Sequence, residues 1–334
     1  MHPALQGVIT IIVGVGGCVA YFYFSNLFLD KVLYPARGPK AGRNINRANL
    51  IRPWLFLAPA VLALGLYLAY PVVETLRLSL TNRLPGGGYE WAGLENYSQM
   101  VADPKFGEAL FNNMLWLFVV PALSTAFGLL AAQLTDRIKW GAVAKSIIFM
   151  PMAISFVGAA VIWKLVYDYR AAGEEQIGVL NAIVVSLGGE PTAWLTVPFW
   201  NNFFLMAVLI WIQTGFAMVI LSAALRGIPE ETVEAAIVDG ANPFQIFFKI
   251  KVPQIMGTIV VVWTTITIVV LKIFDIVFAM TNGQWETQVL ANYMYDKLFR
   301  ANDWGVGSAS AMVIMLLVTP ILVWNVYNAR KEMR

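Results

Sequence analysis

The chain has 334 residues, of which 59% are hydrophobic and only 13% charged; its mean hydropathy is +0.67 and its formal net charge +3. A soluble domain carries about 25% charged and about 45–50% apolar residues, so a surplus this large needs the bilayer as part of its solvent. One cysteine excludes a disulfide framework, and one histidine, His2, excludes most zinc sites and any Ser-His-Asp triad inside the bundle. No cofactor or metal site is expected.

A membrane span needs about 20 mostly apolar residues to cross about 30 Å of hydrocarbon. Such runs lie near 5–29, 54–80, 109–133, 143–167, 200–225, 254–280 and 305–328. The expected fold is all-α, a polytopic transmembrane bundle of about seven spans. The first run passes through Val15-Gly16-Gly17-Cys18, which looks superficially like a lipoprotein cleavage box. It lacks a basic start and continues apolar to Leu29, so a retained helix with a small-residue face is the preferred reading.

The stretch 30–52 is polar, basic and rich in Pro and Gly. It reads as a linker that sets residues 1–51 apart from a core over 52–334. Loop charge then sets the orientation. Lys31, Arg37, Lys40, Arg43, Arg47, Arg52, Arg137, Lys139, Lys145, Arg226, Lys249, Lys251, Arg330, Lys331 and Arg334 fall on one side. The other side holds only Arg83, Lys105, Lys164, Arg170, Lys297 and Arg300. The positive-inside rule places the N-terminus outside and the C-terminus in the cytoplasm. Trp91, Tyr97, Trp194 and Trp200 then fall in or beside long external loops, as an interfacial aromatic belt or as a docking surface.

Residues 227–253 form a cytoplasmic loop in this orientation. Pro229 suits the first turn of a short helix, with Glu230 and Glu231 at its positive end. Ala235 and Ala236 allow another surface to approach closely, and Gly240 can take the left-handed conformation that ends a helix. A second helix starts near Pro243, with Phe244, Phe247, Phe248 and Ile250 at helical spacing, and Pro253 breaks it before the next span.

This loop resembles the EAA motif of ABC importer permeases. The pattern has Glu-Ala-Ala, a Gly at the seventh place, an Ile at the seventeenth and an apolar-Pro pair at the nineteenth and twentieth. Glu234, Ala235, Ala236, Gly240, Ile250, Val252 and Pro253 fill it, with Val252 in place of the commoner Leu. Residues 52–334 are similar to permeases of the carbohydrate-uptake group, through 52–60 (RPWLFLAPA), 94–97 (LENY) and 271–277 (LKIFDIV). The tract 287–295 (TQVLANYMY) resembles the α-glucoside branch more than the maltose permease itself.

The resemblance implies a subunit of a binding-protein-dependent importer in the bacterial inner membrane. Its implied partners are a second permease, two ABC ATPase subunits, an external solute-binding protein and a sugar, with no nucleic acid. Glu234, Ala235, Ala236, Asp239, Gly240, Ile250 and Pro253 would couple the chain to an ATPase subunit. Closure of the ATPase dimer on ATP would switch access to a central cavity. Maltose-type permeases place sugar contacts on the two spans flanking this loop, which points to Trp211, Gln213, Phe216, Thr264 and Thr267 as a substrate path. Interhelical hydrogen bonding and packing are the competing reading of each. The same spans also offer Asn201 and Asn202.

Lys272 and Asp275, three residues apart in the sixth span, read as a structural ion pair near its outer end, or as a gate. No Gly-x-x-x-x-Gly-Lys-Ser/Thr loop occurs, so ATP hydrolysis is assigned to a partner and no enzymatic activity is expected. An ion-coupled secondary transporter or channel is the alternative class; it explains buried charge but not the match over 227–253.

Overall fold

A computed structural model describes residues 3–84, 86–136 and 138–332. His2, Arg137 and Arg334, with the side chains of Arg330 and Lys331, lie outside the described set. The chain forms two compact units, Met1–Glu74 and Thr75–Arg334.

In the first unit, α1 (Pro3–Phe28) ends in a π turn at Leu29–Leu33. After a short irregular stretch, α2 starts at Ala41 and runs to Ser79 through a second π turn, Gly65–Ala69. The stretch expected as a linker is therefore helical from Ala41 onward, and the boundary drawn at residues 51 and 52 falls inside a helix. Pro35, Pro39 and Gly38 (φ +72°) confine the break, whereas residues 41–51 hold no proline. The Tyr21 hydroxyl donates to the Leu55 carbonyl (2.9 Å), Phe22 stacks on Phe56, and Asp30 pairs with Arg52 (2.6 Å).

The second unit opens with a departure from the all-helical expectation. Strands β1 (Thr81–Arg83) and β2 (Tyr89–Trp91) pair antiparallel, with Thr81 opposite Trp91. Gly86, Gly87 and Gly88, all at φ above +90°, permit the turn. There follow α3 (Glu95–Ala102), α4 (Pro104–Thr135), α5 (Gly141–Ala153), α6 (Phe156–Val166), α7 (Val179–Ser186) and α8 (Trp200–Arg226). The chain continues as α9 (Glu230–Val238), α10 (Pro243–Gln254), α11 (Met256–Leu271), α12 (Asp275–Met280), α13 (Leu290–Tyr295) and α14 (Trp304–Glu332).

Among the described residues, five helices are long and apolar enough to cross a membrane, or up to seven elements if each of two bent pairs is one span. One bent pair is α5 and α6, which meet at 106°. Pro151 sits in a closing 3₁₀ turn, and Ser155 restarts the helix by accepting from the Gly158 N–H (3.1 Å). The expected continuous span over 143–167 is therefore broken. The other bent pair is α10 and α11, which meet at 71°.

Packing centres on α4 and α8, whose Trp116, Val120, Leu205, Met206, Leu209, Met218 and Leu221 have no exposed surface. A Cβ placed on Gly128 would lie 2.4 Å from the Ala217 Cβ, so the two helices meet at backbone distance. Gly215 plays the same part against α5, where a Cβ would meet the Ile148 carbonyl oxygen at 2.6 Å. Small residues at such crossings are the ordinary means of helix association in lipid.

Candidate functional site

The loop after α8 is a built knuckle. Helix α9 starts after Pro229, whose extended ψ of 133° makes it the N-cap rather than the first helical residue. At the other end Gly240 sits at φ +81°. Its N–H donates to the Ile237 carbonyl (3.0 Å) and the Ala241 N–H to the Ala236 carbonyl (2.9 Å). This crossed pair is a Schellman closure. Two residues later a capping box starts α10: Asn242 accepts from the Gln245 N–H (2.8 Å), and the Gln245 side chain accepts from the Asn242 N–H (2.9 Å). The segment then winds as a π-helix over Ile246–Lys251. It turns at Ile255, two residues beyond the expected break at Pro253.

Burial sorts the motif residues. Ala236 faces inward at 7% exposure, as does Ile246, and Ile250 is half-buried. Glu234, Ala235, Asp239, Gly240 and Pro253 are exposed. Of the two alanines expected to admit another surface, Ala235 is thus the exposed one. Around it lie apolar side chains that the sequence reading passed over as a docking feature: Ile237, Val238, Phe244 and Phe248, the last two stacked at 6.1 Å. The helical spacing of Phe244 and Phe248 is visible in the sequence, but the side on which these groups are exposed is not. Exposed aliphatic and aromatic groups thus lie beside the exposed carboxylates of Glu234 and Asp239.

Behind α9 a recess of about 410 Å³ is lined by Gln133, Asp136, Arg226, Glu230, Val233, Glu234 and Lys251, among others. It joins the knuckle to the end of α4. There Asp136, the C-cap of α4, forms an ion pair with Lys145 of α5, and Ser222 of α8 donates to both Asp136 oxygens at 2.9 and 3.1 Å.

The residues expected to line a substrate path have different surroundings. Trp211 packs edge-on to Trp163 and borders an apolar groove of about 620 Å³ with Phe127, Phe203 and Thr214. The Thr264 hydroxyl donates to the Val260 carbonyl (2.9 Å) and that of Thr267 to the Trp263 carbonyl (2.8 Å), so both bond their own helix. Phe216 packs against the core and is half-buried. Gln213 differs: it is 6% exposed, and its amide has no hydrogen-bond partner among the described residues.

Asn201 and Asn202, both buried, serve a different task. Asn201 donates to the Trp285 carbonyl (2.6 Å) and Asn202 to the Glu286 carbonyl (3.2 Å). From α4, Asn112 donates to the Glu286 and Gln288 carbonyls, and Asn113 accepts from the Leu290 N–H. These amides hold a turn in which Asn282, Gly283, Trp285 and Glu286 all have positive φ. Lys272 and Asp275 form no ion pair among the described residues. Helix α11 ends at Leu271 and α12 begins at Asp275, so the two residues straddle a break instead of sharing a helix face.

Near that turn, Asp103 at the start of α4 accepts from Lys297 (2.8 Å), from the Lys105 N–H (2.9 Å) and from the Tyr293 hydroxyl (3.0 Å). Burial alone would raise the Asp103 carboxyl, but these donors outweigh it and hold it below its ordinary value. Burial, and then the Asp103 contact, push the Tyr293 phenol up.

Residues 124–332 match the model of a family described as binding-protein-dependent transport system inner membrane component. Over 336 residues, 99% of each chain, the protein is 66% identical to the alpha-glucoside transport system permease protein AglF of Rhizobium meliloti (strain 1021). It is 48% identical to the osmoprotective compounds uptake permease protein GgtC of Synechocystis sp., over 84% of this chain and 100% of that one. Among solved structures, a chain of a bacterial ABC transporter involved in the import of the acidic polysaccharide alginate superposes with a TM-score of 0.72 at 20% identity, over 87% of this chain and 99% of that one. That likeness carries the fold, and the sequence relationship carries the lineage: the chain belongs to the family of inner-membrane permease components of binding-protein-dependent ABC transport systems.

Proposed function

We propose that the protein is the transmembrane permease subunit of a sugar importer, moving an α-glucoside or related oligosaccharide by alternating access driven by partner ATPases. The observation that carries this reading is the knuckle over 227–253. Its central turn is fixed by the Gly240 closure and the Asn242–Gln245 capping box, and it exposes Ile237, Val238, Phe244 and Phe248 beside Glu234 and Asp239. A partly apolar projection that links α8 to α11, the latter across a 71° bend, suits the reception of force from a soluble partner. The substrate class rests on the 66% identical relative named for alpha-glucoside transport.

The arrangement that follows has residues 52–334 as the permease core and residues 1–51 as an added span. Each bent pair counts as one crossing, with the N-terminus outside and the C-terminus in the cytoplasm. Grouping of loops supports this alternation. Asp136, Lys145 and Ser222 meet at one end of the bundle, whereas Asp103, Tyr293 and Lys297 meet at the start of α4. The partners are a second permease, two ATPase subunits and an external binding protein. Gln213 is the first choice for a sugar contact, because its amide is buried and bonds no other described residue, whereas Thr264 and Thr267 bond their own helix.

Reconstitution of the assembled importer tests this. Glu234→Lys or Val238→Asp should detach the ATPase subunits on co-purification, while the chain still inserts. A panel of labelled α- and β-glucosides should show uptake of the α-anomers alone. Retention of the ATPases in both variants would remove the docking assignment, and uptake of no glucoside would remove the substrate.

A further inference from the structure

The polar cluster at the ends of α4, α5 and α8 is not part of the knuckle, yet it stands at the knuckle's root. Ser222 is 1% exposed and lies one turn before Arg226, the last residue of α8. The Lys145 ammonium donates to the Ser222 hydroxyl (2.6 Å) and to Asp136, and that hydroxyl donates onward to both Asp136 oxygens. Three helices that are separate in sequence are thereby tied through one carboxylate. The Arg226 Nε donates to the Ser222 carbonyl (3.3 Å), and Arg226 and Asp136 both wall the recess shared with Glu230 and Glu234 of α9. Higher up, α4 and α8 already touch at backbone distance where Gly128 meets Ala217.

From this geometry we infer that Asp136, Lys145 and Ser222 are positioning residues that make α4, α5 and α8 move as one body when α9 is displaced. The inference rests on the reading of 227–253 as the place where ATPase subunits act. A knuckle joined only to α8 would tilt that helix against its neighbours and dissipate the movement. A charged hydrogen-bonded cluster, half withdrawn from water, resists that shear because separating Asp136 from Lys145 leaves each without its partner. Carboxylate, ammonium and hydroxyl are each required, since the hydroxyl is the link to α8.

The test uses the complete importer in proteoliposomes, with ATP hydrolysis and sugar uptake read in parallel. Asp136→Asn and Ser222→Ala should leave hydrolysis close to the parent and lower sugar moved per ATP by about fivefold. The exchange Asp136→Lys with Lys145→Asp should restore much of that ratio, and hydrolysis should stay near the parent rate throughout, whereas a merely structural role would lower hydrolysis and uptake together. If Asp136→Asn does not assemble, the smaller change Ser222→Ala carries the test alone. An unchanged ratio in both single variants overturns the inference and leaves the permease reading intact. Parent uptake that ignores ATP would instead overturn the permease reading, and this inference with it.

Discussion

The Tyr21 hydroxyl donates to the Leu55 carbonyl at 2.9 Å, and that carbonyl is the one left without a helical donor by Pro59, four residues on. In hydrocarbon an unpaired carbonyl has no water to turn to, so the first helix completes the hydrogen bonding of the second. Tyr21→Phe should therefore weaken the pairing of α1 with α2 by about 1 kcal/mol. Thermal unfolding in nanodiscs would show it as a lowered midpoint. Combining Tyr21→Phe with Pro59→Ala, which returns a donor to Leu55, should cancel most of the loss.

Gly240 at φ +81° has open space around its Cα, so its role is conformational and not steric. Gly240→Ala should destabilise the closure of α9 by about 1 kcal/mol. Gly240→Asn should cost less, because Asn tolerates the left-handed region. Hydrogen exchange of the α9 amides reads this directly, with faster exchange expected in the alanine variant alone.

The α4–α8 crossing admits no side chain at residue 128, where an added Cβ would stand 2.4 Å from the Ala217 Cβ and 2.8 Å from the Met218 nitrogen. Gly128→Ala should cost about 1–3 kcal/mol through forced separation of the helices. Gly128→Leu should prevent a stable bundle, seen as loss of the monodisperse species on size exclusion. By contrast, nothing crowds the Cα of Gly14, so Gly14→Ala should be neutral in the same assay.

The Asp103–Tyr293 contact predicts opposite sensitivities at the two ends of the pH scale. Asp103 is held below its ordinary 3.8, so its stabilising contribution is complete above that value and fades as pH falls through the lower folded value. Tyr293 is held above its ordinary 10.0, so the native state retains a proton that the unfolded chain has lost, and stability declines as pH rises past 10.0. Asp103→Asn should flatten the acid limb of a plot of melting temperature against pH, and Tyr293→Phe the alkaline limb.

The long spans were legible because an unbroken apolar run leaves few alternatives, and α4 and α8 lie close to the expected ranges. Bends were less legible. The break at Ile154–Ser155 depends on one serine capping a new helix, and Pro151 alone announced nothing, since Pro121 sits within α4 without ending it. The helical start at Ala41 was hidden by polar composition, which describes solvent exposure more than backbone state. In the knuckle, spacing disclosed both helices and Gly240. The outward face of Val238 and Phe244 depends on how α9 and α10 settle against each other, which no local pattern encodes. The asparagine clamp around Trp285 was illegible for a related reason: Asn112 and Glu286 are 174 residues apart.

The central claim is that ATPase subunits drive transport through this chain, and ATP dependence of uptake tests it most directly. Proteoliposomes holding the complete importer and its binding protein would be loaded with ATP, either with active ATPase subunits or with subunits whose phosphate-loop lysine is replaced. Ion gradients would be held constant. Accumulation of a labelled α-glucoside with the active subunits, and none with the inactive ones, is the predicted result. Equal accumulation in both, abolished instead by collapsing the ion gradient, would contradict the account.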